Sequence, residues 1–464
     1  MTIDRRTLLQ AAAAAALMGI PRRSVAAALA RSAPAPAAAD RPRPTPAQLQ
    51  WQRDELALFV HFGVNTFTDR EWGDGTESPT LFNPTALDAR QWARTAKAAG
   101  FRMLILTAKH HDGFCLWPTR TTRHSVASSP WRGGQGDVVR EFTDACRAEG
   151  LRAGLYLSPW DRNHPTYGDT PAYNAVYREQ LTELLTQYGR IDEVWFDGAN
   201  GEGPNGKRQT YDWDATWGLV RQLQPQAVMF SDAGPDVRWI GNESGVAGTT
   251  NWSTVDPRIV TRPGMEGAEV MRSLTSGDRE GSVWRPGETD VSIRPGWFYH
   301  PAEDRAVRTA EQLVQLYFTS VGRNSKLLLN VPPDRRGLFA EADVASLVGM
   351  RSALNALFAD DLARGARRVV RRTGTTVTME YTLRRSATVG LVDLRESTAD
   401  GQRVAGYTLE SWDGSAWRPI ASGTTIGYSR LERVTPVETS RLRVVITDSV
   451  EPALPLTLRC FRGA

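Results

Sequence analysis

The feature that most constrains the fold is an alternation of apolar strands and amphipathic helices between about residues 55 and 358. Strands that are buried on both faces read as uninterrupted apolar runs, whereas amphipathic helices repeat apolar residues every three or four positions. Repeated strand-helix units predict a parallel sheet, and this many units favour a closed eight-fold α/β barrel. An open doubly wound sheet is the alternative, but no glycine-rich nucleotide loop follows the first strand.

The predicted elements can be located individually. The predicted strands are residues 58–61, 103–106, 153–157, 194–196, 227–230 and 327–330. The predicted helices are residues 86–99, 138–148, 175–188, 216–223, 310–321 and 341–358. Between the last two strands lies an irregular stretch that is rich in Trp, Gly and Asp.

The pattern changes after about residue 367, where short strands are separated by turn signals. The predicted strands are residues 369–370, 376–379, 389–392, 407–410 and 442–446. This spacing predicts a small antiparallel β-sandwich. We therefore expect a catalytic barrel over residues 47–365 and a sandwich over residues 366–464.

The amino terminus has the composition of an export signal. Arg5 and Arg6 precede two leucines, an alanine-rich stretch runs to Ile20, and small residues continue to Ala30. This order predicts a twin-arginine signal peptide over residues 1–30, followed by a flexible Pro/Ala-rich leader over residues 31–46. The apolar stretch is too short for a stable membrane span. We expect an exported protein, periplasmic or secreted, with no membrane span after signal cleavage.

Composition narrows the class of ligand. The chain is 41% hydrophobic and 23% charged, as in ordinary soluble globular proteins. Its net charge is +4, and the arginines are scattered along the sequence. Scattered arginines do not form the basic stripe that nucleic-acid binding requires, so we expect no nucleic-acid partner.

Polar and aromatic residues gather where the predicted barrel strands end. The strand-end residues are His61, Glu71, Trp72, His110, His111, Tyr156 and Asp197. The carboxyl ends of barrel strands form the face on which barrel enzymes hold their chemistry. A single histidine or an Asp-Gly turn at a strand end is usually structural, but three of the chain's six histidines converge here.

A metal site fits this set less well than a sugar site. Chelating histidines on one strand sit at i and i+2, whereas the adjacent His110 and His111 would face opposite sides of a regular strand. No HExxH motif is present, so we expect neither a metal nor a cofactor. Histidines and carboxylates bind sugar hydroxyls, and tryptophans pack on the apolar face of the ring.

Glycoside hydrolysis requires two carboxyl groups. Asp197 can supply the first. Asp232, Asp236 and Glu243 are the candidates for the second, and Glu243 lies in a glycine-bounded loop that could lean over the barrel mouth.

Several motifs together carry a family resemblance. They are His61-Phe62-Gly63, Glu71-Trp72-Gly73, Lys109-His110-His111-Asp112-Gly113-Phe114, Trp195-Phe196-Asp197-Gly198 and Leu328-Leu329-Asn330-Val331-Pro332-Pro333. In this order, the motifs resemble glycoside hydrolase family 29, the α-L-fucosidases. The resemblance spans about residues 50–360.

The resemblance implies an exo-acting, retaining α-L-fucosidase that forms a covalent fucosyl-enzyme intermediate. Asp197 would be the nucleophile, and Glu243 would be the acid/base. The implied fucose pocket consists of His61, Glu71, Trp72, His110, His111, Tyr156 and Trp297. The Gly241-Asn242-Glu243 element resembles the branch that prefers α-1,3/1,4-linked fucose in Lewis-type structures.

The implied substrate is a fucosylated oligosaccharide or glycoconjugate. Activity on α-1,2 or α-1,6 linkages, hydrolysis of another sugar, or an inactive fucose-binding protein are the alternatives. The C-terminal sandwich is similar to galactose-binding-like modules.

Overall fold

The computed structural model describes residues 41–374, 376–453 and 455–463. The predicted signal peptide and most of the predicted leader therefore lie outside the described residues. The helices are α1 (Pro46–Asp54), α2 (Asn65–Thr68), α3 (Ala89–Ala98), α4 (Val138–Glu149), α5 (Thr170–Gln187), α6 (Trp213–Leu223), α7 (Ala268–Ser276), α8 (Ala310–Thr319) and α9 (Glu341–Leu357). The strands of the first part of the chain are β1 (Leu56–Val60), β2 (Met103–Lys109), β3 (Arg152–Leu157), β4 (Glu193–Trp195), β5 (Val228–Ser231), β6 (Val237–Trp239), β7 (Thr254–Val255), β8 (Val283–Trp284), β9 (Gly287–Ser292) and β10 (Ser325–Asn330). The C-terminal strands are β11 (Arg367–Thr373), β12 (Thr376–Arg395), β13 (Val404–Trp412), β14 (Trp417–Gly423), β15 (Arg430–Ser449) and β16 (Thr457–Phe461).

Eight parallel strands close into a barrel in the order β1-β10-β9-β6-β5-β4-β3-β2. Closure is visible at β1, where Ala57 is in register with Met103 of β2 on one side and with Leu328 of β10 on the other. All five residues of β1 and all seven of β2 are buried, as expected for strands that are covered on both faces. The predicted α/β barrel is confirmed.

Two barrel strands lie in the stretch that gave no sequence pattern. Strand β6 has only three residues, and β9 carries the polar residues Glu288, Thr289 and Asp290, all of them buried. Neither strand is an apolar run, so hydrophobic periodicity could not reveal them. Between β5 and β6 lie only residues 232–236, which contain no helix.

Helix α1 lies beside the barrel strands and is fixed at both ends. Thr45 and Gln48 form a capping box at its start. The Trp51 indole donates to Glu193 Oε2 at 2.9 Å inside the barrel.

Just before the helix, the Arg41 guanidinium donates to the backbone oxygens of Arg279 and Gln402. The end of the predicted flexible leader therefore contacts the folded chain, because backbone acceptors are available to Arg41.

The C-terminal strands form an antiparallel sheet with its own apolar core. Strands β12 and β15 each have 20 residues and pair along most of their length. The short strands predicted at residues 376–379 and 389–392 are two parts of β12. Register shifts between Thr382 and Ala387 and between Val389 and Leu391 interrupt the pairing without ending the strand. These irregularities explain why the sequence resembles separate strands.

Side-chain contacts join this sheet to the barrel. Arg395 of β12 forms an ion pair with Glu55 at 3.0 Å, and Tyr317 of α8 donates to the same carboxylate at 2.7 Å.

Among the described residues, the structure contains no helix with the length and apolar character needed to cross a membrane.

Candidate active site

A pocket of about 200 Å³ opens at the carboxyl ends of the barrel strands. Its volume suits one sugar ring better than a larger ligand. The lining residues are Phe59, His61, Trp72, His110, His111, Tyr156, Trp195, Asp197, Ala199, Glu243, Asp290 and Trp297. The structure thus brings together every residue of the predicted site except Glu71.

Asp197 lies two residues beyond the end of β4, where the chain turns out of the barrel. The Tyr156 hydroxyl donates to Asp197 Oδ2 at 3.1 Å, and the Ala199 N–H donates to Oδ1 at 2.7 Å. His111 Nε2 is 3.8 Å from Oδ2. Hydrogen bonds of this kind hold the carboxylate in one orientation.

His61 has its proton position set by Asn330. The Asn330 amide nitrogen donates to the carbonyl oxygen of Trp297 at 2.8 Å, so Asn330 Oδ1 faces His61 Nδ1, also at 2.8 Å. Because Oδ1 can only accept, Nδ1 carries the proton. Burial lowers the pKa of His61 to about 3, although the hydrogen bond to Asn330 acts in the opposite direction. The ring is therefore neutral, and its bare Nε2 is a hydrogen-bond acceptor.

His110 and His111 both line the pocket, in contrast to the expectation that they would face opposite sides. Strand β2 ends at Lys109, so the alternation of a regular strand no longer applies, and the two ring centroids are 4.1 Å apart. Burial lowers the pKa of both rings, that of His110 well below its usual value. His110 Nδ1 finds no hydrogen-bond partner among the described residues. A buried donor or acceptor of this kind is available to a ligand hydroxyl.

Lys109 anchors the strand end that carries these histidines. Its ammonium group is buried and lies 3.0 Å from Asp161 Oδ2, 3.1 Å from Tyr173 Oη and 2.9 Å from Gln180 Oε1. Three acceptors match the three donors of an ammonium group. Lys109 is absent from the pocket lining, so its contribution to the site is to position its neighbours.

Glu243 reaches the pocket from the loop that follows β6. Asn242 Oδ1 accepts from the Ser244 N–H at 3.1 Å, and Asn242 Nδ2 donates to the Val246 carbonyl at 2.9 Å. These two hydrogen bonds hold the chain in a turn around Glu243. Glu243 is one of the more exposed residues of the site. Even so, desolvation by the surrounding protein raises the pKa of its carboxyl, and the charges of Asp197 and Glu71 add to this effect.

Asp290 is a third carboxyl in the pocket and was not predicted. It lies on β9, is 4% exposed, and accepts a hydrogen bond of 2.8 Å from the Trp239 indole. Burial, together with the nearby Glu243, raises its pKa well above the usual range. Only the recognition of β9 as a barrel strand could have revealed Asp290.

Comparisons with known proteins agree with this geometry. The sequence profile of the family described as alpha-L-fucosidase matches residues 49–356. The chain belongs to the α-L-fucosidase family. It is 43% identical to alpha-L-fucosidase 1 of Arabidopsis thaliana over 454 residues, which cover 90% of this chain and 88% of the relative.

Solved structures of fucosidases have the same fold. A glycoside hydrolase 29 family member from an unknown rumen bacterium superposes with a TM-score of 0.84 at 41% identity, covering 91% of this chain and 78% of the other. A family 29 fucosidase of Ruminococcus gnavus, solved in complex with fucose, gives 0.82 at 30% identity and covers 93% and 97% of the two chains. The chain described here is therefore a glycoside hydrolase, and its substrate class is a fucosylated glycan.

Glu71 is the predicted fucosidase pocket residue that the structure places outside the lining. Its carboxylate accepts hydrogen bonds from the backbone N–H groups of Trp297 and Phe298. His300 Nε2 is 3.1 Å from Glu71 Oε2, and Nδ1 of the same ring is 2.9 Å from Asp69 Oδ1. In this arrangement Glu71 holds the segment that carries Trp297. Sequence reasoning missed His300, because nothing near it in the chain indicates this contact.

The other two candidate carboxyls, those of Asp232 and Asp236, do not line the pocket. Asp236 Oδ2 accepts from the Met229 N–H at 2.8 Å and its carboxylate pairs with Arg221, so it fastens β5. Asp232 Oδ2 accepts from the Gly264 N–H at 2.8 Å. Burial, with a contribution from Asp197, raises the pKa of Asp232 to about 6.

Trp72 stands at the rim of the fucosidase pocket. It is 55% exposed, and its ring is edge-on to that of His111 with centroids 5.7 Å apart. A large apolar side chain left so exposed beside a pocket is available to a ligand.

A second cavity of about 810 Å³ adjoins the fucosidase pocket, and Ala199 lines both. Its aromatic lining residues are Tyr211, Trp213 and Trp239, and its charged ones are Arg208, Asp232, Arg262 and Glu266. Aromatic faces combined with polar groups suit further sugar rings.

The described residues contain no group of three or more His, Cys, Asp or Glu side chains arranged to hold a metal ion.

Proposed function

We propose that the protein is an exo-acting, retaining α-L-fucosidase that releases terminal α-1,3/1,4-linked fucose from Lewis-type oligosaccharides. The observation that carries the proposal is that Asp197 and Glu243 line one small pocket together with three uncharged histidines. Two carboxyls in one sugar-sized pocket are the minimum that glycoside hydrolysis requires.

In the proposed reaction, Asp197 attacks the anomeric carbon of fucose while the bond from this carbon to the leaving oxygen breaks. Glu243 gives its proton to the leaving oxygen and then removes a proton from the water that attacks the same carbon, which releases Asp197. The hydrogen bonds from Tyr156 and Ala199 hold the Asp197 carboxylate in position for this attack. The raised pKa of Glu243 supports a protonated acid at the start of the cycle.

The neutral histidines supply hydrogen-bond acceptors for the ring hydroxyls in this proposal. Phe59 and Trp195, which also line the pocket, supply an apolar surface for the C6 methyl group of fucose. A galactosyl ring would place an additional hydroxyl against this surface, where it would lose a hydrogen bond to water.

The adjoining cavity supports an oligosaccharide as the leaving group. Its volume of about 810 Å³ leaves room for more than one sugar ring beyond the pocket. The preference for α-1,3/1,4 linkages rests on the Gly241-Asn242-Glu243 element. Linkage profiling on a panel of fucosylated oligosaccharides tests it, because comparable rates on α-1,2- or α-1,6-linked fucose would contradict the preference.

The stereochemistry of the product tests the mechanism. A retaining enzyme gives α-fucose as the first product, and NMR during the first minutes of hydrolysis distinguishes this from β-fucose. A 2-fluoro fucoside with an activated leaving group should label Asp197, as peptide mass spectrometry can show. Initial release of β-fucose would exclude the covalent intermediate.

We also propose that residues 1–30 direct export of the folded protein through a twin-arginine pathway. The paired Arg5 and Arg6 support this proposal. Replacement of both by lysine, followed by fractionation of a bacterial host, should leave the precursor in the cytoplasm. Unchanged export would contradict it.

A further inference from the structure

We infer that the C-terminal sheet positions the loop that carries Glu243, and that Asn251 connects the two. This inference rests on the proposed role of Glu243 as the acid/base. It gives the C-terminal sheet a part in catalysis, although none of the residues described for this sheet lines the pocket.

The first half of the connection joins Asn251 to the sheet. The Asn251 N–H donates to Thr425 Oγ1 at 2.8 Å, and Gln402 Nε2 donates to the Asn251 carbonyl at 3.0 Å. Gln402 Oε1 also accepts from the Ser253 N–H at 2.6 Å. These contacts cross from the segment after β6 to the loops of the C-terminal sheet.

The second half joins Asn251 to β6. Arg238 Nη2 donates to Asn251 Oδ1 at 2.7 Å, and Asn251 Nδ2 donates to the Arg323 carbonyl at 2.8 Å. Arg238 lies five residues before Glu243 in the chain and is 1% exposed. Asn251 thus ties the strand that leads into the loop to the sheet that lies beyond it.

Other contacts hold the returning side of the loop. The Thr319 hydroxyl of α8 donates to the Gly245 carbonyl at 3.0 Å, and the Ala247 N–H donates to the Thr319 carbonyl at 2.9 Å. Further along, Arg430 of β15 donates to the Thr249 carbonyl at 2.7 Å. Glu243 therefore sits at the tip of a loop that is attached on both sides.

Burial makes these hydrogen bonds consequential. Asn251 is 1% exposed, Gln402 is fully buried and Thr425 is 2% exposed. A buried backbone N–H that loses its acceptor must move to find another, and the chain moves with it. Loss of the Thr425 hydroxyl would thus shift the loop and displace the carboxyl of Glu243, while the pocket residues on the other barrel strands stay in place.

The experiment compares three variants within the intact protein. Thr425→Val removes the acceptor with little change of shape, and Thr425→Ser keeps it. Tyr381→Phe is the matched control, because it removes a buried hydrogen bond of 2.9 Å to the Leu456 carbonyl elsewhere in the same sheet. For each protein, kcat/KM is measured on a dinitrophenyl fucoside, which needs no acid, and on a Lewis trisaccharide, which does.

We expect Thr425→Val to lower kcat/KM on the trisaccharide by about tenfold or more and on the activated fucoside by less than about threefold. Thr425→Ser and Tyr381→Phe should stay close to the wild type on both. Equal losses on the two substrates, or no loss, would overturn the inference. If the wild type hydrolyses neither substrate, the proposed function fails instead.

A further variant, combined with thermal melting, distinguishes loss of positioning from unfolding. Gln402→Met removes the hydrogen bonds of the Gln402 amide with Asn251, Ser253 and Asn324. Thermal melting shows whether each variant is folded at the assay temperature. In a folded Gln402→Met protein, the same selective loss on the trisaccharide is expected. A folded variant that treats both substrates like the wild type would show that the sheet does not position Glu243.

Discussion

His111 Nε2 faces Asp197 Oδ2 across 3.8 Å and carries no proton. The Ser158 hydroxyl donates its single proton to the Trp160 carbonyl at 2.6 Å, so it can only accept from His111 Nδ1, which is 2.8 Å away. Burial keeps the ring neutral, although the charge of Asp197 acts in the opposite direction. Two acceptors therefore face each other, and His111 Nε2 can accept a hydrogen bond from a ligand hydroxyl.

Removal of the Ser158 hydroxyl, which fixes the tautomer of His111, should weaken substrate binding. In Ser158→Ala, Nδ1 loses its acceptor and the imidazole can adopt the other tautomer, so kcat/KM should fall by about tenfold, the value of one hydrogen bond. Ser129→Ala is the matched control, because Ser129 is also buried and donates to the Val126 carbonyl at 2.8 Å, away from the pocket. Equal losses in the two variants would show that the effect is general destabilisation.

Replacement of the nucleophile should abolish turnover. Asp197→Ala should lower kcat by at least about 10⁴-fold, because both chemical steps depend on this carboxylate. Azide should restore activity and give β-fucosyl azide, since the small anion replaces the missing carboxylate. Asp232→Asn is the control, because it also removes a carboxylate near the pocket, and it should keep most of the activity.

Replacement of the acid/base should depend on the leaving group. Glu243→Ala should be most impaired on natural oligosaccharides, whose leaving oxygens need a proton, and least on dinitrophenyl fucoside. Azide should give α-fucosyl azide from the fucosyl-enzyme intermediate. Near-normal rates of Glu243→Ala on oligosaccharides, with a selective loss in Asp232→Asn, would transfer the role to Asp232.

The side chain of Trp297 should influence the pH above which kcat/KM declines. Burial raises the pKa of Glu243 and the neighbouring Trp297 side chain acts to lower it, so Trp297→Phe should raise this pKa further. The acid must be protonated for the first step, and activity falls as pH rises through its pKa. The alkaline limb of kcat/KM should therefore move to higher pH. A limb that stays in place or moves to lower pH would contradict this assignment.

The buried pair of Lys109 and Asp161 should dominate local stability. Burial acts to raise the pKa of Asp161, but Lys109 and the His164 N–H outweigh it, so the net pKa is lowered. A lowered pKa in the folded state stabilises the protein at neutral pH, and this contribution is lost as pH falls through that pKa. Lys109→Met should cost about 3–5 kcal/mol in urea unfolding at pH 7, because it leaves a buried carboxylate unpaired. A cost below about 1 kcal/mol would contradict the burial argument.

The sequence predicted those parts of the molecule that are encoded by a pattern of neighbouring residues in the chain. Apolar runs such as β1 and β2 located barrel strands, and the residues that follow them located the pocket. Strand β9 was missed because Glu288 and Asp290 are residue types that usually indicate exposure. Inside the barrel, the indoles of Trp195 and Trp239 each donate a hydrogen bond to one of these carboxyl groups. The contact of Glu71 with the Trp297 segment joins residues 226 positions apart, and no local pattern can encode it.

The meeting of the two cavities at Ala199 has a consequence for the diversification of such enzymes. The part of the chain that the structure describes places no other residue in both linings. With the larger cavity holding the leaving glycan, as proposed above, substitutions at its lining residues Arg208, Arg262 or Met265 would change which glycan is accepted. The surfaces that hold the terminal sugar would stay unaltered. Natural variation and laboratory selection could retune the larger cavity many times over while the chemical step is inherited unchanged.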